Sequence, residues 1–366
     1  ETYKEEWIRD LARILKEQGT DYKTLVTLWE RPLNKWTFDT HIVNLVMMLK
    51  AECVSTALLG GDYSDQAEEF YDILKKFNGT PVGLFTGDEC LSGLSPIQGT
   101  ELCAVVEQMY AYELLYAHTG DGKWAERLEL LAFNALPASF SDDMWSHQYV
   151  QLSNQIACVK FPAKPIFRTN GAESHLFGLE PNFGCCTANF NQAWPKFALS
   201  AFMYDGDSII SALPVPSELK TDNEHIVVET NYPFENSFKY TVEVKDAITF
   251  RIRIPSFAEN LTVNGEAKNG NELSFDLIAG EKLEIDVAFD VAPRFVDRPH
   301  GLKSVRCGSL VFSVPISYRR KMIEYERDGV ERRMPYCDYE LIPLSDWNYA
   351  YCSDSLEVCR KDVGDT

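Results

Sequence analysis

A chain of 366 residues, 45% hydrophobic and 25% charged, has the make-up of an ordinary globular protein and is long for a single core, so two domains are expected. Its net charge of −20 argues against nucleic acid and anionic membrane surfaces, which need clustered Lys and Arg. No apolar run reads as long enough for a membrane span, and the opening Glu1-Thr2-Tyr3-Lys4-Glu5-Glu6 shows neither a leader pattern nor a methionine, as in a processed or trimmed product.

From Glu1 to about Met203 the hydrophobic period is helical. Trp7, Ile8, Leu11, Ile14 and Leu15 fall on one stripe, with Gly19 as a stop. His41 to Lys50 reads as a largely buried helix, closed by Gly60-Gly61. Ser64 is placed to cap the next helix, whose Phe70, Ile73, Leu74 and Phe77 line one face before Asn78-Gly79. A loop from Phe85 to Pro96 carries Asp88 and Glu89 between rigid elements, the setting in which functional residues concentrate. Leu102, Val105, Val106 and Met109, then Trp124, Leu128, Leu131 and Ala135, form further inner stripes, so the segment reads as successive helical hairpins. Beyond Asp205-Gly206 the period becomes alternating, as in Thr249–Ile254 and Lys282–Val287, and Asn264-Gly265 and Asn269-Gly270 predict hairpin turns. The expected architecture is α then β: a helical domain over 1–203 and a β-sandwich over 204–366.

Ten cysteines are spread without a dense disulfide framework, which points to a reducing, cytoplasmic compartment, with a periplasmic or secreted one as the alternative if a leader has been removed. Cys337, Cys352 and Cys359 make a loose C-terminal group without a nearby histidine. Cys185 and Cys186 are adjacent, and a bridge between neighbours would be strained, so they read as separate thiols. Thr100-Glu101-Leu102-Cys103 offers a carboxylate and a third thiol. Glu101, Cys103, Cys185 and Cys186 would complete a tetrahedral site for a borderline-soft ion such as zinc, whereas the plainer alternative packs the cysteines as small hydrophobes. Within one helix Glu101 and Cys103 would face apart, so a shared ion requires Glu101 at the helix entrance.

Asp88 and Glu89 are candidate proton donors, since the flanking Phe85, Leu91 and Leu94 could desolvate a carboxyl and raise its pKa. His41 beside Asn44, and His147 beside Gln148 and Tyr149, are suited to gripping hydroxyls. Trp36, Trp145 and Trp194 could stack on sugar faces or simply fill the core.

Several stretches together resemble one family: Gln98 to Glu107, Arg127 to Glu129, Ala132 to Ala138, Gln148-Tyr149 with Asn154-Gln155, and Asn182 to Asn189. Ser309 to Ile316 and Trp347 to Ala350 continue the likeness. These residues are similar to the β-L-arabinofuranosidases of glycoside hydrolase family 127 and its relatives in family 146. The resemblance implies an (α/α)6 barrel followed by β-sandwich modules and retaining hydrolysis of a carbohydrate substrate. It implies Cys185 as nucleophile, with Glu101, Cys103 and Cys186 as fellow zinc ligands, Glu89 as acid/base with Asp88 as rival, and His41 near the sugar. The helical segment has room for about half of such a barrel, so an N-terminal segment or a second copy of the chain would have to complete it. The alternative expectation is a glycan-binding or assembly protein on the same scaffold, with a purely structural zinc.

Overall fold

A computed structural model describes residues 5–31, 35–161, 169–178 and 184–361. Asn182 and Phe183 of the double-cysteine motif lie outside them. Among the described residues, helices dominate up to Leu199 and strands follow from Phe202, in the expected order.

The helices are α1 (Glu6–Gln18), α2 (Val26–Trp29), α3 (Ile42–Met48), α4 (Ala51–Leu59), α5 (Gln66–Asn78), α6 (Leu102–Thr119), α7 (Gly122–Leu130) and α8 (Gly184–Leu199). α1 ends at Gly19 as expected, its N–H bonded to the Leu15 carbonyl. Its stripe of Trp7, Leu11, Ile14 and Leu15, however, is exposed among the described residues. The long helix expected from His41 is two, broken at Leu49 and Lys50. Composition alone makes Ile42–Leu59 apolar enough to cross a membrane, contrary to the reading of the sequence. In the fold that stretch is interrupted, and Lys50 pairs with Glu107 of α6 at 2.8 Å. Ser64 caps nothing: Asp65 holds the N-cap of α5, while the Ser64 backbone N–H and hydroxyl both donate to Glu52.

The chain forms two compact units, and they do not follow a single cut at residue 204. The first comprises Glu1–Gly120, Asn134–Ala193 and Val314–Asn348; the second comprises Asp121–Phe133, Trp194–Ser313 and Tyr349–Thr366. The reason is strand pairing. Strands Tyr318–Ile323 and Asp338–Pro343, expected in the sandwich, join a four-stranded sheet with short strands from the helical half, β2 (His147–Gln148) and β4 (Phe177–Gly178). In the first unit α6 is buried along most of its length, and its Val105, Val106 and Met109 share the interior with Ile42, Leu45 and Val46 of α3.

In the second unit, a four-stranded sheet and a six-stranded sheet share one core. Phe238, Tyr240, Val242 and Val244 alternate inward from Ser237–Val244, and Phe250 and Ile252 do so from Ile248–Arg253. This period-two burial fixes the register, because a slip of one residue would send every inward side chain to solvent. Asn264 and Gly265, both at positive φ, join two paired strands as the expected hairpin. Asn269-Gly270 does not: its flanking strands pair in different sheets, so the turn is a crossover.

Within the second unit, a buried ion pair ties α7 to the strands. Glu129 meets Arg253, and its Oε2 accepts from the Tyr232 hydroxyl at 2.7 Å and the Ser309 hydroxyl at 3.0 Å. Removing one partner of such a pair strands a charge in low dielectric. Arg253→Met should therefore lower the stability of the second unit by about 3–5 kcal/mol in denaturant titrations. A loss under about 1 kcal/mol would show that Glu129 is adequately held by its two hydroxyl donors.

Candidate active site

Three extended segments of the first unit lie side by side and carry the acids. The Glu89 loop sits between residues 40–42 and the short strand β1 (Gly99–Glu101). On one side, the Ile42 N–H donates to the Glu89 carbonyl at 2.7 Å and the Leu91 N–H to the Thr40 carbonyl at 2.9 Å. On the other, the Gly87 N–H donates to the Gly99 carbonyl at 2.7 Å and the Glu101 N–H to the Gly87 carbonyl at 3.0 Å. Such close approach requires glycine. A Cβ on Gly87 would lie 2.7 Å from the Ile42 Cβ, and one on Gly99 would lie 2.2 Å from the Gln151 carbonyl oxygen. β1 pairs in turn with β3 (Val150–Leu152), and the Leu102 N–H donates to the Tyr149 carbonyl.

The side chains follow from this layering. One acceptor oxygen on each of Glu89 and Glu101 and one ring nitrogen of His41 lie within 4.8 Å of one another. His41 Nε2 is 3.2 Å from Glu89 Oε2, and the Tyr149 hydroxyl donates to Glu89 Oε1 at 2.5 Å. Burial alone would raise the Glu89 pKa, but hydrogen bonds from His41, Tyr149 and Trp36 outweigh it and hold the carboxyl below its ordinary range. Burial likewise pulls His41 down, and the Glu89 hydrogen bond with the charges of Glu101 and Glu89 reverses this, leaving its pKa raised.

Glu101 is the N-cap residue of α6, with extended backbone angles, and Cys103 lies in the first helical turn. This is the helix-entrance arrangement that lets the two share a ligand. Cys185 and Cys186 stand in the first described turn of α8, and hydrogen bonds from their backbone N–H groups help to lower the Cys185 pKa. Cys186 is fully buried, with its Sγ 3.3 Å from that of Cys103. One oxygen of Glu101 and the three sulfurs lie within 4.8 Å of one another. Hydrogen bonds from Cys103 and Cys186 bring the Cys185 pKa down to about 3. Cys103 is raised through its hydrogen bond to Cys185, and Cys186 is raised first by burial. Burial, then the charge of Glu89, pushes Glu101 up to about 8.

This donor set fits a metal ion. Three sulfurs and one carboxylate are compatible with zinc, and Glu101 Oε2 is buried without a hydrogen-bond partner among the described residues. All ten cysteines are free thiols. The C-terminal Cys337, Cys352 and Cys359 form no metal-ligating group among the described residues: the first is buried and the other two exposed.

The remaining candidates separate cleanly. His147 joins the thiol end: its Nε2 is 2.9 Å from the Thr187 hydroxyl, and burial lowers its pKa. Gln148, the next residue along the strand, is not brought to the site. Its amide donates to the His175 carbonyl at 2.8 Å, and it lines a separate cavity with Cys158, Phe177 and Leu341. The strand alternation that delivers His147 and Tyr149 turns Gln148 away. Asp88 is likewise occupied, accepting from the Thr169 and Asn170 backbone N–H groups at 3.0 Å each. Trp36 reaches Glu89 Oε2 through its indole N–H at 3.3 Å, while Trp145 packs on Tyr336. Asn170 went unread in the sequence and Thr187 was read only as part of the Asn182–Asn189 stretch; for Asn170 the Asn170-Gly171 pair was the available signal, since such pairs mark ordered turns.

The first unit thus carries a buried thiol–carboxylate cluster beside a paired acid and histidine, and the second unit is rich in strands. Among family models, residues 86–199 match the β-L-arabinofuranosidase GH127 catalytic domain, and residues 208–279 match the GH127 middle domain. The two matches together span about half of the chain, and the chain belongs to glycoside hydrolase family 127. Among solved structures it is similar to a GH127 β-L-arabinofuranosidase from Geobacillus stearothermophilus T6, at 15% identity and TM-score 0.58, covering 83% of this chain and 57% of that one. It is similar to a glycoside hydrolase at 15% identity and TM-score 0.62, covering 91% of this chain and 71% of that one. It is also similar to a GH127 β-arabinofuranosidase at 18% identity and TM-score 0.58, covering 91% and 64%. At these identities the likeness is one of fold, and the chain spans little more than half the length of the first of the three. None of the curated proteins matches it.

His175, fully buried beside Phe161, has its pKa lowered to about 4 by desolvation. The unfolded chain therefore binds a proton there that the folded chain does not, between about pH 6.5 and 4. Stability should fall as pH drops through that window, by up to about 3 kcal/mol from this group. Urea midpoints from pH 7 to pH 4 should show the loss, and His175→Gln should flatten it. An unchanged slope in that variant would assign the acid limb to other groups.

Proposed function

We propose that this chain is the catalytic part of a retaining glycoside hydrolase that releases L-arabinofuranose, or a closely related sugar, from β-linked glycans. The helical half then forms part of an (α/α)6-type barrel, and the two-sheet core forms a β-sandwich. The observation that carries the reading is the sharing of Glu101 between the thiol cluster and the His41–Glu89 pair, which puts a nucleophile and a proton carrier at one place.

Zinc bound by Glu101, Cys103, Cys185 and Cys186 would keep Cys185 ionised and stabilise it as a leaving group. In the first half-reaction Cys185 Sγ attacks the anomeric carbon, the glycosidic C–O bond breaks, and Glu89 protonates the departing oxygen. In the second, Glu89 takes a proton from water, the water oxygen attacks the same carbon, and the C–S bond breaks to restore the thiolate. Two inversions give net retention. Glu89 needs its proton only for the first step. His41, raised and bonded to Glu89 Oε2, holds a proton next to it, and an incoming sugar would deepen the burial that opposes the hydrogen bonds holding Glu89 ionised. Tyr149 and His147 stand where hydroxyls can be gripped from the two ends of the cluster.

A second reading has one observation in its favour. Four protein donors would close a tetrahedral site, the usual pattern of a structural zinc. The scaffold would then bind or assemble glycans without cleaving them. Hydrolysis of p-nitrophenyl β-L-arabinofuranoside decides between the two. Catalysis should fall by at least about a thousandfold in Cys185→Ser with folding retained, and activity surviving in that variant would remove Cys185 as nucleophile.

Metal binding should also be proton-linked. At pH 7 the metal-free site keeps protons on Glu101, Cys103 and Cys186 but not on Cys185. Zinc uptake should therefore release about three protons and weaken steeply as pH falls. Calorimetry in buffers of different ionisation enthalpy reads this number directly. Release of no protons, or a zinc content well below one per chain by elemental analysis, would count against the assigned ligands.

A further inference from the structure

Four donors converge on the Glu89 carboxylate. Oε2 meets His41 Nε2 at 3.2 Å and Trp36 Nε1 at 3.3 Å, while Oε1 accepts from the Tyr149 hydroxyl at 2.5 Å and from Asn170 Nδ2 at 3.1 Å. Asn170 differs from the other three because its hydrogen-bonding capacity is already committed. Its Oδ1 accepts from the Gly171 N–H at 2.6 Å, which fixes the end of the amide that carries oxygen. Nδ2 therefore faces two acceptors, the Asp88 carbonyl and Glu89 Oε1, each at 3.1 Å.

The backbone around Asn170 is fastened just as firmly. The Thr169 N–H, Thr169 hydroxyl and Asn170 N–H all donate to the Asp88 carboxylate at 3.0 Å, and the Cys90 N–H donates to the Thr169 hydroxyl at 3.1 Å. Asp88 is buried, so these bonds are shielded from competing water. Thr169-Asn170-Gly171 thus lies as a strap along Asp88-Glu89-Cys90.

We propose that Asn170 is a positioning residue for Glu89. Its side-chain amide fixes Oε1 and so sets the carboxylate plane before substrate arrives, and Asp88 acts one step behind as the anchor of the strap. A glutamate side chain has three rotatable bonds, and a carboxylate that must first give and then take a proton at one oxygen gains from having them fixed in advance. The inference rests on Glu89 being the acid/base, and the test separates the two claims.

The test uses the full chain supplemented with zinc, as wild type, Asn170→Ala, Asn170→Asp and Glu89→Ala, on methyl and 2,4-dinitrophenyl β-L-arabinofuranosides. Methanol needs a proton to leave and dinitrophenolate does not. In both Asn170 variants, kcat/KM for the methyl glycoside should fall about 30- to 100-fold. For the dinitrophenyl glycoside it should fall less than about threefold, since no proton transfer is needed there. A merely structural role would lower both substrates alike, and that result, or no loss on either, overturns the proposal. Asn170→Asp keeps the shape and the acceptor for Gly171 while losing the donor, so it serves if the alanine variant is unstable. If Glu89→Ala itself shows no leaving-group dependence, the acid/base assignment has failed. If only Glu89→Ala shows it, the positioning role alone has failed. Crystal structures of the wild type and Asn170→Ala give a readout independent of turnover: the Glu89 carboxylate should rotate or split between rotamers, and a carboxylate that superposes on the wild type overturns the proposal.

Discussion

The site depends on a constraint of the main chain: two glycines let neighbouring extended segments lie closer than any side chain would permit, Gly87 between its loop and residues 40–42 and Gly99 between β1 and β3. Gly87 is pressed against Ile42 and Gly99 against the Gln151 carbonyl. Neither sits at a positive φ, so their value lies in the missing Cβ and not in conformational freedom. With that spacing, backbone hydrogen bonds hold His41, Glu89 and Glu101 in adjacent rows, and their side chains meet without a long or flexible lever between them. A site built on paired backbone is held more closely than one carried on unpaired loops.

Desolvation then decides the charges. Glu101 is almost wholly buried, next to Glu89 and three thiols, and a negative charge there lacks water to support it. Such a cluster has two ways to remain folded: hold protons, or hold a cation. Its protons sit on Glu101, Cys103 and Cys186, while Cys185, at the α8 N-terminus and the most exposed of the group, carries the one thiolate that two S–H donors can stabilise. The sulfur whose pKa is lowered is also the most exposed of the three.

Much of this was legible from residue order. The change of period near Asp205 marked the end of the helices, and the Glu-x-Cys and Cys-Cys pairs marked the thiol cluster through their resemblance to the family, spacing alone leaving plain packing of the cysteines open. The requirement that Glu101 stand at a helix entrance followed from helical geometry, and its N-cap position meets it. Other features were hidden for physical reasons. Gln148 could not be told from Tyr149 as a site residue, since which face of a two-residue strand looks inward depends on its partner Phe177–Gly178, and that strand is itself paired with Asp338–Pro343, nearly two hundred positions from Gln148 in sequence. Asp88 and Glu89 are chemically equivalent in sequence, and the donors that hold Asp88 aside, Thr169 and Asn170, lie some eighty positions away. The split of the strands between two units was hidden for the same reason, because alternation shows that a strand has one buried face and not which sheet it joins.

The pairing of Asp88 with Glu89 carries a further consequence. Adjacent residues in an extended segment point to opposite sides, so a loop with one acid facing the site presents its neighbour to the protein interior. A buried carboxylate there is costly unless it is fully hydrogen-bonded. Asp88 meets that demand by recruiting the Thr169 and Asn170 N–H groups together with the Thr169 hydroxyl. The same recruitment delivers the Asn170 amide to Glu89. Satisfying the inward acid and orienting the outward one are therefore a single structural act, because the strap that Asp88 holds is the one that brings the Asn170 amide to Glu89.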